Sequence, residues 1–492
     1  MTSSSGHHVR RSFDKNAGPS RFFLYLLSCL PLFCLAWLNR HYQLDDALIY
    51  LRYVDNFLNG EGLVYNPGIY FNGLTSPLYS YCVILVGWLI SNLQATNILL
   101  AALFHASASI VFAETFFTQQ SVAAGCAFII LSGTFPYFFL VYGMETPLLM
   151  LLIGLCFYFY QTKNYFWLGI FSGLLILTRV ESIFLIVAFL IGYFIKYRTF
   201  PAYRNFIVPL ILIATNLIFN KLYYGSYLPA TGNAKIWQGR SGLWGDGWVF
   251  LNAGYLLAWA FGSNRFYFLT VFGFSVIGFL KTITTFEHRE VHWIILFFLF
   301  GYSLFFIFLN IPNYHWYYAP YFIFTLLYCT KGLFFIPELF EGLVKSDLKW
   351  SAFLPSLLVM TALIYWAGGL SSLPRGPLKA YRDIGVWLNQ NTASGDQIAV
   401  VEIGTIGWYS KRPIIDILGL VNPLNARFLG ERKFEEWLNH YSPDFILIHD
   451  PPWPHELGAV NALAAGRFGV DPRFHFQNYR LLRKLPQPEQ KS

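Results

Sequence analysis

The chain carries 492 residues, 55% of them apolar and only 12% charged, about half the charge of an ordinary soluble domain. With a mean hydropathy of +0.46, this balance excludes a disordered chain, a collagen-like repeat and a cytosolic enzyme, and leaves an α-helical polytopic membrane protein. The net charge of +8 sits as short Lys/Arg clusters between apolar runs, the pattern that sets membrane topology, and gives no nucleic-acid partner.

In chain order, Arg10, Arg11, Lys15 and Arg21 precede the first apolar run and read as a cytoplasmic tail over 1–21 with an uncleaved anchor behind it. Apolar runs long enough to approach a bilayer crossing follow at 22–38, 96–116, 122–142, 146–162, 165–178, 182–197, 205–222, 266–281, 292–310, 317–336 and 351–367, about eleven spans. A further run at 76–92 is read as a helix lying in the outer interface. With that reading 13 basic residues face the cytoplasm and 7 face outward, whereas a span there would turn the cluster from Lys196 to Arg204 outward. The expected organisation is a transmembrane module over 22–367 with outer loops 39–95 and 223–265, and an extracytoplasmic tail over 368–492.

The tail is richer in charge and reads as a small α/β domain. Strands are expected at 397–402, 413–418, 444–448 and 475–484, and helices at 379–390 and near 431–441. The six cysteines (29, 34, 82, 126, 156, 329) lie in apolar runs without a CxxC pair, so buried free thiols are expected rather than a disulfide framework or a thiolate metal site.

Candidate chemistry gathers at the outer edges of the spans. Asp45 and Asp46 open a stretch with Ala47, Leu48, Leu51, Val54 and Leu58 on one helical face, which Gly60 can end. Asp45 suits a cap on that helix, and the pair also suits general-base work on a hydroxyl or a divalent metal. No cofactor follows from the motifs, and no His/Asp/Glu cluster at metal spacing is visible. Glu145, Arg179 and Glu181 are ionisable groups between apolar helices, read either as ion pairs or as a polar pocket with Arg179 as a phosphate clamp. Lys235 reads as an interface lysine or a contact for a lipid phosphate. His315 and Tyr317 lie in the aromatic stretch Asn313–Pro320, which fits an interfacial belt and supplies further pocket candidates.

The order of these features resembles the GT-C superfamily of polytopic glycosyltransferases. Asp45–Tyr53, Asn66-Pro-Gly, Leu74-Thr-Ser-Pro-Leu78, Gly143–Pro147, Thr178–Glu181, Leu228–Lys235 and Ile403–Pro423 look like its arabinofuranosyltransferase-like branch, with a more distant likeness to protein O-mannosyltransferases and aminoarabinose transferases. Val180 and Ala230 stand where relatives often carry Pro and Asn. The resemblance implies a sugar donor carried on a polyprenyl phosphate and a cell-envelope glycan, lipid or protein as acceptor. It further implies Asp46 or Asp45 as the base, Arg179 and Lys235 on the donor phosphate, and Glu145 and Glu181 as pocket residues. Donor energy stored in the phosphodiester agrees with the absence of a Walker-type loop. The alternative from a different class is a transporter, lipid translocator or degenerate envelope-assembly factor. Against it, the acids collect at one face instead of near the bilayer midplane.

Overall fold

A computed structural model describes residues 18–117, 121–252, 254, 265–285, 289–343, 355–365 apart from 358 and 362, and 376–486. Most of it is helix. Among the described residues, seven helical segments are long and apolar enough to cross a membrane: Ser20–Leu38, Leu93–Phe117, Val180–Tyr197, Arg204–Tyr224, Tyr267–Thr284, Arg289–Phe308 and His315–Pro337. The other expected spans also fall on apolar helices, but on shorter ones: Val122–Thr134, Thr146–Gln161, Tyr165–Thr178 and a stretch within Pro355–Tyr365. The run 122–142 is divided because Pro136 lacks an amide donor and opens a separate helix, Pro136–Leu140. Most of 1–21, and part of 351–367, lies outside the described residues.

Small residues let the helices approach. A Cβ on Gly278 would stand 2.0 Å from the Tyr328 carbonyl oxygen, and one on Gly332 would stand 2.0 Å from that of Phe274. The backbones of Arg265–Thr284 and Ala319–Leu343 therefore touch, the close approach on which lipid-embedded packing relies. All six cysteines are free, but Cys34 is exposed on its helix rather than buried as the apolar pattern suggested.

Two helices fill the first loop. Asp45–Leu58 buries Ala47 to Val54, and Gly60 follows with φ +84°, which ends the helix as expected. Pro77–Gly87 has 11 residues, about 16 Å of helix and roughly half a hydrocarbon core.

The tail forms a five-stranded sheet in the order β2-β1-β3-β5-β4. β1 is Ile398–Val400, β2 Ile414–Asp416, β3 Phe445–His449, β4 Phe468–Val470 and β5 Tyr479–Lys484. β1 runs parallel to β2 and β3, while β5 runs antiparallel to β3 and β4. The helices Gly376–Asn391 and Glu436–Tyr441 are the anticipated pair. The sequence pattern did not indicate β4 or the helices Ile403–Ser410, Pro423–Gly430 and Leu457–Ala464. Ile403–Ser410 contains two glycines and a threonine, poor helix formers, so its helicity comes from its surroundings.

The tail is bolted to the first loop. Arg52 is buried and donates to the carbonyls of Tyr65 (2.8 Å), Gly407 (2.6 Å) and Arg412 (2.7 Å) and to Asn66 Oδ1 (3.0 Å). Asn66 in turn bridges both main-chain groups of Ile414, and Tyr65 Oη donates to the Ile403 carbonyl at 2.6 Å. Arg52→Ala removes four buried hydrogen bonds, leaving the Tyr65 carbonyl to Asn56 and the Gly407 carbonyl to the Lys411 amide but the Arg412 carbonyl without its donor, and is expected to cost about 3 kcal/mol. Thermal unfolding and limited proteolysis of the purified protein check this, with cleavage appearing between tail and loop.

Candidate active site

The first-loop helix, three inter-helix turns and the second loop close around a cavity of about 560 Å³ at one end of the bundle. Asp46, Glu145, Arg179, Glu181, Lys235 and Tyr317 all line it. The remaining wall is largely apolar, including Ile213, Leu217, Leu228, Phe305 and Leu309. Residues separated by up to 271 positions in sequence (46 to 317) thus meet because every loop carrying them emerges at the same end.

Arg179 anchors the floor. Its Nη1 lies 2.6 Å from Glu145 Oε1 and its Nε 2.5 Å from Glu181 Oε1, with all three side chains buried. Tyr50 Oη donates to the other Glu145 oxygen at 3.0 Å, and the guanidinium lies 5.0 Å from the Tyr317 ring centre. Arg179 is therefore matched to two carboxylates, and both of the expected ion pairs exist at once. The guanidinium charge is shared with two buried carboxylates, and separating it from them is expensive, while Arg179 still lines the cavity.

Lys235 differs. Its ammonium lies 3.9 Å from the Tyr314 ring centre and 6.0 Å from that of Trp316. Among the described residues it forms no ion pair, and it faces the cavity. The cation with uncommitted charge is thus Lys235. Its helix, Ala230–Arg240, is fastened to the first loop by the Ala230 amide donating to the Asn72 carbonyl (2.9 Å) and by Thr75 donating to Thr231 (3.2 Å).

The two aspartates separate. Leu44, not Asp45, is the N-cap of their helix, and Asp45 is its first helical residue. The Asp45 carboxylate turns away from the cavity and accepts the amides of Gly404 (3.0 Å) and Thr405 (2.7 Å). It caps the Ile403–Ser410 helix of the tail, whose own Glu402 supplies no side-chain cap. That is the correction to its expected place beside Asp46, and its cause is the buried pair of amides that needs an acceptor. Burial nevertheless raises its pKa to about 7 against the two amide donors. Asp46 faces the cavity; burial raises its pKa, the Lys235 ammonium pulls it back, and Glu145 raises it further.

His315 is not among the lining residues, and its carbonyl accepts from Tyr137 at 2.6 Å. Tyr50, Thr75, Asn216, Asn220, Thr231 and the tail's Leu420 line the cavity without having been singled out. Tyr50 was within reach of the pattern, since it stands four residues after Asp46 on the same helical face. As a pair, Asp45 and Asp46 do not converge on a metal, and among the described residues no group of three His, Cys, Asp or Glu side chains is arranged to hold one.

Several solved structures share this architecture. The chain is similar to the oligosaccharyltransferase AglB of Archaeoglobus fulgidus in complex with an inhibitory peptide and a dolichol-phosphate (TM-score 0.57, 15% identity, covering 95% of this chain and 75% of that one). It is also similar to ArnT of Cupriavidus metallidurans bound to undecaprenyl phosphate (TM-score 0.61, 12% identity, covering 96% and 100%). The fold is the GT-C glycosyltransferase fold. Among curated proteins, a terminal β-(1→2)-arabinofuranosyltransferase of Corynebacterium glutamicum is 28% identical over 292 residues, 51% of this chain and 41% of the relative. The chain thus spans less than half the length of that relative. Residues 376–491 match a family model described as a domain of unknown function, DUF8728.

Within this GT-C frame the ion triad is the element most sensitive to loss of one member. Arg179→Met leaves Glu145 and Glu181 buried without a counter-charge and is expected to destabilise by about 3–5 kcal/mol. Glu181→Gln keeps the Glu145 pair and should cost about 1 kcal/mol. Thermal unfolding of both variants checks the order.

Proposed function

We propose that this protein is a membrane glycosyltransferase that moves a sugar from a polyprenyl-phosphate donor to an extracytoplasmic hydroxyl. The observation that carries the reading is the pairing, in one cavity, of a cavity-facing carboxylate, Asp46, with the uncommitted Lys235 ammonium beside an apolar wall. The GT-C fold and the lipid phosphates bound in its structural neighbours support it. Pentosyl transfer is the form favoured by the corynebacterial relative, with a cell-envelope glycan, lipid or protein as acceptor. The basic-residue balance along the chain supports a cavity and tail on the outer side of the cell membrane and a cytoplasmic N-terminus.

The apolar wall takes the lipid end of the donor, and Lys235 faces its phosphate. As the acceptor oxygen bonds to the anomeric carbon, the bond from that carbon to the phosphate oxygen breaks. Asp46 takes the acceptor proton, and the phosphate leaves with an added charge that Lys235 offsets. The Arg179 triad and Tyr50 hold the cavity floor, and Tyr317 shapes the sugar end. Asp45 holds the helix without touching the reacting atoms.

Purified protein supplied with a panel of polyprenyl-phosphate sugars tests the reading through release of polyprenyl phosphate. Asp46→Asn is expected to reduce release by about 10²–10⁴-fold with the fold intact; undiminished release would remove Asp46 as the base. The rate should climb as pH rises through the raised Asp46 pKa, because the ionised form is the base. Removing the Lys235 charge, which lowers that pKa, should move the acid limb of the profile of Lys235→Met to higher pH. An unmoved limb would uncouple the two groups.

A further inference from the structure

The tail carries a second constellation that the transfer chemistry does not use. In its sheet, β1 lies between β2 and β3, parallel to both. The chain leaves β1 towards β2 on one side and returns from β2 to β3 on the other, so the carboxyl ends of β1 and β3 flank a topological switch point. Open α/β sheets place ligands in the crevice outside such a point. Glu402 follows β1 and His449 ends β3, and their side chains meet there, His449 Nε2 standing 3.4 Å from Glu402 Oε1.

The surroundings are ordered. Glu456 is fully buried and accepts His449 Nδ1 (2.8 Å) and the amides of His449 (3.1 Å) and Trp453 (2.7 Å). Burial alone would pull the His449 imidazole down, and the Glu402 and Glu456 carboxylates overcome it, raising its pKa to about 9. The ring is nine-tenths buried, and its Nε2 faces Glu402 as its ion-pair partner. Trp453 stacks on it, ring centres 3.6 Å apart at 11°, and keeps 39% of its own surface exposed. His455 lies beside Trp453 (5.6 Å) and stacks on Trp244 of the second loop (5.8 Å, 18°), and its buried Nε2 has no hydrogen-bond partner among the described residues. Tyr381 donates to Glu402 at 3.3 Å, and Tyr479 lies 5.2 Å from His449.

The charge at this point selects the ligand. In parallel α/β sheets an anion commonly sits on the amides opening the helix after the first strand. Here those amides, Gly404 and Thr405, are taken by the chain's own Asp45, and Gly404 packs so close that a Cβ would stand 1.7 Å from the Asp45 carbonyl oxygen. Glu402 and Glu456 add two further carboxylates against the single His449 charge. A phosphate or carboxylate ligand would meet net negative charge. A neutral saccharide would not: its apolar C–H face suits the indoles of the exposed Trp453 and the half-buried Trp244, and its hydroxyls suit carboxylate, imidazole and phenol edges. We infer that the tail binds a neutral glycan at the switch point, on Trp453 and Trp244 with Glu402, His449 and Tyr479 at their edge. Asp45, which caps the helix after β1, immediately precedes the cavity-lining Asp46 in the chain; naming the glycan as the acceptor rests on the transferase reading.

Binding is measured without any donor, by saturation-transfer NMR on the full-length Asp46→Asn protein with neutral mannan, arabinan and galactan oligosaccharides. Saturable binding of at least one is expected, weakened about tenfold or more, equal to 1.4 kcal/mol, by Trp453→Ala and by Trp244→Ala, and largely kept by Trp453→Phe, which guards against a folding artefact. No saturable binding by any of the three, binding untouched by both alanine variants, or preference for a phosphorylated sugar would overturn the inference. In turnover, Trp453→Ala should raise KM for a polymeric acceptor and leave kcat unchanged. Failure of all turnover would sink the transferase reading and leave the binding result standing.

Discussion

The whole arrangement hangs on one charge-assisted cap. Asp45 and Asp46 open the same helix, but Asp45 is spent on the amides of Gly404 and Thr405, so the helix that presents Asp46 to the cavity is held by the tail. Cap hydrogen bonds of this kind contribute about 1 kcal/mol each. This one acts with the buried Arg52 fan and the Asn66 bridge to Ile414, so the tail and the first loop behave as one packed unit. The position of Asp46 in the cavity thus depends on a domain that itself adds Leu420 to the cavity wall.

A second constraint is charge bookkeeping in a dry cavity. Three carboxylates and two cations face it, and they are not equivalent. Arg179 is neutralised by Glu145 and Glu181, a network that rigidifies because breaking it would bury an unpaired charge. Lys235 lies against the aromatic faces of Tyr314 and Trp316, which stabilise an ammonium without neutralising it. The division leaves one positive charge for a ligand and one raised carboxylate, Asp46, opposite it. The same logic governs the tail crevice, where the chain's own carboxylate fills the position an anion would take and leaves room for a neutral partner.

The membrane-embedded helices serve the site by geometry. Each loop carrying a cavity residue is short or fastened: Glu145 precedes the helix Thr146–Gln161, and Arg179 and Glu181 occupy the turn after Tyr165–Thr178. Lys235 sits on a helix tied to the first loop through Asn72 and Thr75. Little freedom remains in the distance between Asp46 and Lys235, the kind of constraint that positioning a transferred group requires.

Composition and apolar period determined the membrane class, the helical spans and the end of the bundle where polar residues collect, because burial in lipid leaves little choice of residue type. They also singled out Asp46, Glu145, Arg179, Glu181, Lys235 and Tyr317, since ionisable and aromatic groups between apolar runs are conspicuous in any sequence. What each does was decided by tertiary structure alone. Neighbouring aspartates look alike in sequence, yet one faces the cavity and the other caps a helix 359 residues away. Arg179 and Lys235 are both cations, yet only the fold brings two carboxylates into ion-pair contact with the first and, among the described residues, none into such contact with the second. The helix Ile403–Ser410 and the Glu402–His449 meeting were invisible for the same reason: each exists through contacts between distant segments, and local propensity carries no record of them.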